Sequence, residues 1–354
     1  DEIQSYKNSI WTEIIYFFFS LANLFNMKII IMSATLPNLD RLSQGQSEAI
    51  FLLKNSNKFF KTDCFKNRVQ LNYDLLDTKV DDKFNQLKEH LKQHLDTDKK
   101  ILIEFIKKRT ANDFWLYLVE DEYFREKNIK IEYLSGDDSL AERKRILDKI
   151  KQTEDTIVLV ATQVIEAGVD IDMDIGYKNI SKLDSEEQFI GRINRSCKRK
   201  GITYFFQIDD AKDIYKNDIR VDSEFTLEKE KMREILINKN FGDYYNKILD
   251  VTKNNNKAYI KDFLGSIADL NYEYIDKHMK LIDEDKNIVQ VYLARKIVDI
   301  NGDLIDGKEI WKQYVNLWKM KCSIDYAEWK VKMSIITSKM NYFIYQVNKS
   351  NLEL

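Results

Sequence analysis

The sequence ATQVIEAGVDID, residues 161–172, is followed after a short gap by EQFIGRINR, residues 187–195. The first stretch comes directly after the aliphatic run 157–161, which is typical of a buried parallel strand. Because ligands bind beyond the carboxyl ends of strands in open α/β sheets, the first stretch is predicted to form a binding loop. The second stretch places Arg192 and Arg195 three residues apart, on one face of a predicted helix. Their planar, charged forks suit phosphate groups.

Alternating strands and helices surround these two stretches. Strands are predicted at 101–105, 129–134, 157–161, near 175–180 and at 202–208. Helices are predicted at 80–95, 111–123, 140–150 and from Ser185 into the arginine stretch. Strands that are separated by helices indicate an α/β fold with a doubly wound parallel sheet.

The rest of the chain is predicted to form two further regions. Upstream, the pattern predicts a buried helix at 14–25, a buried strand at 28–32, a helix at 38–53 and a strand at 69–76. Downstream, helices are predicted at 225–237 and 310–320, with a hairpin at 289–304. Trp311, Val315 and Trp318 fall on one stripe of their helix and are predicted to pack into a core. The expected domains are therefore 1–62, 63–210 and a mainly helical 211–354.

Composition excludes several classes of protein. Lys and Arg number 56 and Asp and Glu 58, so no overall positive charge indicates a nucleic-acid partner, and any such groove must be locally basic. The three cysteines have no C-x-x-C spacing, which argues against disulfides and a zinc ribbon and favours a reducing compartment. The apolar stretch 14–25 has only twelve residues, too few to span a bilayer, and no signal peptide is visible. A cytoplasmic protein without a membrane partner is expected.

The loop after the predicted strand 157–161 holds four candidate binding residues. Thr162 and Gln163 are placed to contact a nucleic-acid phosphate through hydroxyl and backbone groups. Gly168 allows close backbone approach, and Asp170 is placed to meet a nucleotide sugar or one of the arginines. Taken alone, the stretch is equally well explained as an ordinary connection from a strand to a turn.

Acidic and hydroxyl residues near the start of the chain complete the set. Asp1 and Glu2 suit the binding of Mg²⁺ and the positioning of an attacking water. The spacing from Asp1 to Ser33 and Thr35 fits one helix and one strand, so both groups are expected at the ends of strands of one sheet. The two hydroxyls are then able to bond back to the carboxylates and relay the nucleotide state.

Taken together, DEIQ (1–4), MSATLP (32–37), TQVIEAGVDID (162–172) and QFIGRINR (188–195) have the order and spacing of a superfamily 2 helicase. They most closely resemble the CRISPR-associated helicase-nuclease of type I systems, over about residues 1–210. The resemblance implies RecA-like motor domains: the end of a first one and a complete second one. It also implies a translocase that uses ATP, acts on single-stranded DNA and is recruited by an RNA-guided CRISPR surveillance complex.

The resemblance implies a role for each matching residue. Asp1 and Glu2 would bind Mg²⁺ and orient water, and Arg192 and Arg195 would be arginine fingers. Gln188 would contact the nucleotide together with Gly168 and Asp170. Thr162 would contact DNA, beside Gln163 and the basic residues Lys107, Lys108 and Arg109. Ser33 and Thr35 would couple the nucleotide and DNA sites.

The chain also departs from the family pattern. Phe189 stands where members often have arginine, and 105–110 matches the fourth helicase motif only loosely. No His-Asp nuclease motif is present, and His90 and His94 are predicted to be solvated. The single G-x-x-x-x-G-K match, 302–308, is followed by Glu309 instead of Ser or Thr, so it is predicted to be a turn.

These departures leave alternatives open. Without a phosphate-binding loop the chain is expected to need another chain that carries the first helicase half and nuclease. The chain would then be a natural split protein or a fragment. The other hypotheses are a non-catalytic scaffolding or nucleic-acid-binding module, or another superfamily 2 helicase.

Overall fold

The computed structural model describes residues 2–43, 50–53, 57–60, 62, 65, 67–95, 98–166, 168–278, 287–298 and 302–351. Its centre is a six-stranded sheet in which every neighbouring pair is parallel. The strands are β1 Val69–Asn72, β2 Lys100–Glu104, β3 Lys130–Leu134, β4 Ile157–Ala161, β5 Ile175–Asn179 and β6 Gly201–Phe206. Their order in space is β1-β6-β5-β2-β4-β3. The predicted doubly wound parallel fold is thus confirmed.

Helices cover both faces of this sheet and continue beyond it. They are α1 Trp11–Phe25, α2 Asn57–Phe60, α3 Asp74–Asp77, α4 Lys83–Lys92, α5 Lys108–Glu120, α6 Glu122–Glu126, α7 Leu140–Gln152, α8 Leu183–Ile190, α9 Glu230–Asn238, α10 Phe241–Ala268, α11 Tyr272–His278, α12 Gly307–Lys319 and α13 Tyr326–Met340. All five residues of β4 are buried, because α5 and α7 are connections between parallel strands and pack on the sheet. The loops that follow β2, β4, β5 and β6 share one edge of the sheet.

The N-terminal region differs from its prediction. Residues 28–32 form no strand, and the side chain of Ile30 is 66% exposed. A parallel strand needs a neighbour for its backbone hydrogen bonds, and the described residues before Val69 contain none. The predicted helix 38–53 is reduced to a single helical turn at Leu39–Leu42, with 50–53 irregular and 44–49 outside the described residues.

Helix α1 is buried over only half of its length. Trp11 to Tyr16 are buried, whereas Leu24 and Phe25 are exposed. The buried half packs into a core shared with α8, α9 and α10. The prediction of a buried helix is therefore right for its first half only, because periodicity shows which residues are apolar but not where the covering elements end.

Two histidines on α4 contact the sheet and are only partly exposed. His90 Nδ1 lies 3.0 Å from the hydroxyl of Tyr177, and His94 Nε2 lies 3.1 Å from that of Tyr204. The prediction that both are solvated is wrong, since tyrosines on β5 and β6 reach up to the helix.

A small unit follows the long helix α10. Two further pairs of strands, β7 Ile288–Tyr292 with β10 Ile344–Asn348 and β8 Lys296–Val298 with β9 Leu304–Asp306, are antiparallel. The predicted hairpin is found only for β8 and β9, because β7 pairs with a strand from the end of the chain. The core of the unit is formed by Ile310, Met340, Tyr342 and Phe343.

The predicted core stripe of α12 is wrong by one helix position. Ile310 and Leu317 face the core, whereas Trp311 and Trp318 are exposed. Adjacent residues are rotated by about 100° around a helix, so a shift of one position turns the tryptophans outward.

The division into three domains stays a prediction, and the hydrophobic cores do not follow its boundaries. Residues from all three, including Ile3, Leu183 and Tyr244, share one core. Among the described helices, none is both long and apolar enough to cross a membrane.

Candidate nucleotide-binding site

Glu2 lies against the arginine stretch. Its backbone N donates to Met32 O at 2.9 Å, and its carboxylate accepts from Gln4 and, at 3.4 Å, from Nε2 of Gln188. The residue has a left-handed backbone conformation with φ of 52°. Two motifs that are 186 residues apart in sequence thus meet at one carboxylate. The other predicted acid, Asp1, lies outside the described residues.

The hydroxyl residues after Met32 make different contacts from those expected. Ser33 Oγ accepts from the backbone N of Thr35 at 3.0 Å, and Thr35 Oγ1 lies 3.1 Å from the hydroxyl of Tyr245 on α10. Thr35 is buried. These contacts connect the Met32 segment to the helices that follow the sheet and not to a carboxylate.

Arg192 and Arg195 lie in a turn and not on a helix. Helix α8 ends at Ile190 with Gly191 as its C-terminal cap, and Arg192 N bonds to Phe189 O in the turn that follows. The prediction that both arginines share a helix face is therefore wrong. The turn allows each guanidinium to point to a different part of the site.

Arg192 is held by the loop after β4. Its Nε donates to Ile165 O at 3.0 Å, and its Nη2 donates to Glu166 O. These bonds use two of the five donors of the guanidinium. Burial, with the nearby charge of Arg195, lowers the pKa of Arg192, and the negative charges of Asp170, Glu166 and Glu2 act in the opposite direction. Arg192 is thus placed between the Glu2 segment and this loop.

Arg195 is more exposed and makes an ion pair. Its Nη1 lies 3.3 Å from Asp170, which also pairs with Lys151 at 3.4 Å. Asp172 fixes the turn, since its two carboxylate oxygens accept from the backbone N of Arg195 and Ser196. The acidic end of the VDID sequence thus holds the arginine turn in place.

The remaining loop candidates lie at the same edge of the sheet. Thr162 is only 3% exposed and its N bonds to Leu134 O, so its side chain faces inward. Gln163 donates to Ile106 O at 2.9 Å, which joins the loops after β4 and β2. Gly168 has a φ of +71°, and a Cβ added there would meet no heavy atom within 4 Å, so its left-handed backbone and not crowding explains the glycine.

The three basic residues after β2 already have acidic neighbours. Lys107 pairs with Asp213, Lys108 with Asp137, and Arg109 lies 3.8 Å from Asp113. The Arg109 side chain is 93% exposed. It is the most accessible cation of the three.

A buried charged cluster lies beneath these loops and was not foreseen from the sequence. Lys178 on β5 contacts Glu104, Glu166 at 3.2 Å and Glu186 at 3.8 Å. Burial raises the pKa of Glu104 and raises that of Glu186 to about 7, whereas Lys178 is the main charge that holds the pKa of Glu166 down against burial. Ser185 on α8 also donates to Glu166. The cluster therefore joins two strands, the loop after β4 and α8.

A second unforeseen group is the buried Arg220. It donates to Asp218 at 2.6 Å, to Asp184 on α8 at 3.0 Å, and to the carbonyls of Gln4 and Tyr6. The ring of Trp11 lies 5.2 Å from the guanidinium carbon. Arg220 thereby fixes the Glu2 segment to α8. Lys178 inside the strand sequence IGYKN was a visible signal of buried charge, but no local pattern marks Arg220.

Phe189 fills space between α8 and the sheet. It is fully buried, and a Cβ added to Gly176 on β5 would lie 2.6 Å from its ring. Phe189 therefore acts in packing, in contrast to the polar link that arginine would provide there.

The segment 302–309 adopts the structure of a hairpin and a helix start. Gly302 has a φ of +90°, Asp306 caps α12 through Lys308 N at 2.8 Å, and Glu309 pairs with Lys312. This geometry is consistent with a turn and gives no phosphate cradle at that place.

The structure thus combines a doubly wound, six-stranded parallel sheet with an arginine turn that lies beside a carboxylate. Residues 77–198 match the family model for the CRISPR-associated nuclease/helicase Cas3, C-terminal. This match confirms the family resemblance for that part of the chain.

Three individual proteins are similar to this chain at low sequence identity. UvrABC system protein B of Gloeothece citriformis (strain PCC 7424) is 28% identical over 141 residues, which are 37% of this chain and 19% of that protein. The crystal structure of T. fusca Cas3 has a TM-score of 0.48 at 13% identity and covers 80% of this chain and 36% of its own. The C-terminal domain of the DEAD-box protein Dbp5 has a TM-score of 0.35 at 20% identity and covers 53% of this chain and 98% of its own. The chain thus spans only 19% and 36% of the two longer proteins.

Proposed function

We propose that this chain is part of an ATP-dependent DNA helicase or translocase of CRISPR interference, acting in the cytoplasm in antiviral defence. It would supply the acidic segment at Asp1 and Glu2, the arginines Arg192 and Arg195, and a face for single-stranded DNA. One observation carries the proposal: Gln188 of the arginine motif contacts the Glu2 carboxylate at 3.4 Å. In the proposed helicase, the nucleotide would lie between the acidic segment and the arginine turn.

The magnesium ion of a bound nucleotide would fit the carboxylate of Glu2, whereas the phosphate-binding loop would have to come from the further chain or segment. Among the described residues no group of three metal-binding side chains occurs, but nucleotide-bound Mg²⁺ needs only one or two carboxylates besides phosphate oxygens. When bound, ATP would supply the phosphoryl group whose transfer to water drives movement, and Mg²⁺ would offset the negative charge of the phosphates. Glu2 would orient that water, with Asp1, while Arg192 and Arg195 would offset the negative charge that develops on the phosphate.

The DNA face is proposed at the edge formed by the loops after β2 and β4. Arg109 is the most exposed of the three basic residues there, and Lys107 and Lys108 lie beside it. Thr162 and Gln163 remain candidates, with the inward-facing Thr162 side chain requiring a shift of the loop. The proposed partners are single-stranded DNA, an RNA-guided surveillance complex and a chain or segment that carries the phosphate-binding loop.

The arginines provide the test of this proposal. In a helicase that joins this chain to a half with a phosphate-binding loop, Arg192→Ala and Arg195→Ala should each lower DNA-stimulated ATP turnover by about 10³, as expected for arginine fingers. The 354-residue chain alone should release no phosphate, because the given sequence holds no G-x-x-x-x-G-K-[ST] segment.

Arg125→Ala is the matched control, since it removes an exposed arginine on α6, outside the proposed nucleotide and DNA sites, and should leave DNA-stimulated turnover unchanged. Near wild-type turnover in both turn variants would remove them from the nucleotide site. That result would favour the scaffolding hypothesis.

A further inference from the structure

A row of aromatic side chains is exposed on the small C-terminal unit. Trp311 and Trp318 on α12 and Tyr326 on α13 are 44%, 45% and 59% exposed. Single exposed apolar side chains are common on protein surfaces, but a group of large aromatic ones is informative because together they leave a large apolar area in water.

The exposed rings are held in place by rings behind them. Tyr314 lies 5.7 Å from Trp311 and 6.3 Å from Trp318, measured between ring centroids. Trp329, which is buried, lies 5.3 Å from Trp318 and stacks on Tyr326 at 6.0 Å. Its Nε1 donates to Leu317 O at 2.9 Å. We call Trp311, Trp318 and Tyr326 the aromatic row, and its rings are preorganised without being covered.

The charge around the row is positive. Residues 307–340 contain seven lysines and three acidic residues, whereas the whole chain has 56 basic and 58 acidic residues. Lys321 Nζ lies 5.3 Å from the rings of both Trp318 and Trp329, and Lys330 Nζ lies 5.5 Å from that of Tyr326. Two lysines therefore lie close to the aromatic rings.

This combination favours a single-stranded nucleic acid over a protein surface. Non-specific single-strand sites pair aromatic rings, on which bases stack, with cations that follow the phosphates. Trp311 and Trp318 are seven residues apart on one helix, which is a rise of about 10.5 Å. A strand that is stacked as in duplex DNA rises about 3.4 Å per nucleotide along its axis, so about three nucleotides would span this distance.

We propose that the aromatic row binds single-stranded nucleic acid by base stacking, as a second contact besides the motor loops. The inference extends the proposed function, because a strand handled by the motor would also engage this surface. Lys321 and Lys330 would contact the phosphates, and the row would impose no sequence preference since every base has a stacking face.

The test uses the full 354-residue chain and a fluorescein-labelled oligothymidylate about 20 nucleotides long, and binding is measured by fluorescence anisotropy. At the site sizes typical of single-strand binders, this length is enough to contact both the motor loops and the aromatic row. Trp311→Ala and Trp318→Ala should each weaken binding roughly tenfold, and the double variant more than either. Lys321→Ala should reduce the slope of log affinity against log salt by about 0.7. Tyr272→Ala, which removes an exposed aromatic residue elsewhere, should leave affinity unchanged.

Because the substituted side chains are exposed, melting temperatures should stay within a few degrees of the wild type, and this is measured in parallel. Affinity of the double variant within twofold of wild type would overturn the proposal. The proposal would also be overturned if the wild-type protein did not bind the oligonucleotide but bound anionic lipid vesicles, or associated with itself through the aromatic row. ATP turnover in the Arg192 and Arg195 variants is a separate readout, so either proposal can fail while the other stands.

Discussion

At the scale of single residues, the two arginines of the turn differ in how they are held. Arg192 is fixed by the carbonyls of Ile165 and Glu166, whereas Arg195 pairs with the exposed Asp170. A guanidinium that is fixed by backbone needs no reordering to meet a phosphate. Arg195 must leave Asp170, or share it, before it does the same. We therefore expect the side-chain position of Arg192 to be fixed by the fold and that of Arg195 to change when a ligand binds.

The buried Glu186 predicts a particular dependence of stability on pH. Its pKa rises from 4.5 to about 7 in the folded chain, mainly through burial. The folded state thus holds an extra proton between these two values, so the free energy of unfolding should fall as pH rises through this window. Glu186→Gln removes this titration. The difference in unfolding free energy between the variant and the wild type should therefore shift by about 3 kcal/mol in favour of the variant from pH 4 to pH 8.

Urea unfolding between pH 4 and 8 measures this effect. Glu154→Gln, an exposed substitution, should follow the wild-type profile. Glu104 also has a raised pKa because of burial, so some dependence should survive in Glu186→Gln. Identical slopes for Glu186→Gln and wild type would show that Glu186 is not the group that titrates.

Sequence reasoning found the residues whose motifs are local and missed those joined only by the fold. TQVIEAGVDID and QFIGRINR pointed to the loop and the arginine turn, and the contact between Asp170 and Arg195 lies there. Arg220 escaped because its partners lie at Gln4, Tyr6, Asp184 and Asp218. Nothing in a linear pattern indicates that these four groups meet.

At the scale of elements, α8 depends on a glycine in the strand below it. A Cβ at position 176 would lie 2.6 Å from the Phe189 ring and 2.9 Å from Ile193. Gly176→Ala should therefore push α8 away from β5 and destabilise the protein by about 1–3 kcal/mol through overpacking. Thermal or urea unfolding provides the measurement.

Two further variants separate overpacking from the general effect of adding a methyl group. Phe189→Leu in the Gly176→Ala background should recover part of the loss, because it shortens the clashing side chain. Gly265→Ala in α10 has no neighbour within 4 Å and should be neutral or stabilising by up to about 1 kcal/mol. A Gly176→Ala protein as stable as wild type would contradict the close packing of α8.

Elements of the central sheet were predictable because each strand is a short aliphatic run between amphipathic helices. The run at 28–32 has the same composition but no neighbouring strand among the described residues, and it forms no strand. The composition of a segment indicates that it can form a strand, but it forms one only where a neighbouring strand is available for pairing. The stripe of α12 failed for a related reason, since two adjacent apolar rows were available and tertiary packing selected Ile310 and Leu317.

At the scale of the whole molecule, Arg220 connects the segment after Glu2 to α8 on the central sheet. The shared core contains Trp11, Leu183 and Tyr244, so these regions are expected to unfold together. The C-terminal unit has its own small core around Phe343. The segment that begins at Ile3, α8 and α10 thus share one core, which is separate from that of the C-terminal unit.

The last prediction concerns this connection. Arg220→Met leaves the carboxylates of Asp184 and Asp218 buried without their main cation, which should cost about 3–5 kcal/mol of unfolding free energy. It also releases the carbonyls of Gln4 and Tyr6. Relative to the wild type, hydrogen exchange should therefore accelerate more at the amides of residues 3–16 than at those of β4. Arg41→Met is the control, because its partly exposed pair with Asp250 should contribute no more than about 1 kcal/mol. Adding Asp218→Asn to Arg220→Met should recover part of the stability, since it removes one buried charge. Wild-type exchange at 3–16 in the destabilised Arg220→Met protein would mean that Arg220 supports the core without positioning Glu2, and the carboxylate would then have to be held against α8 by Gln188 and the core alone.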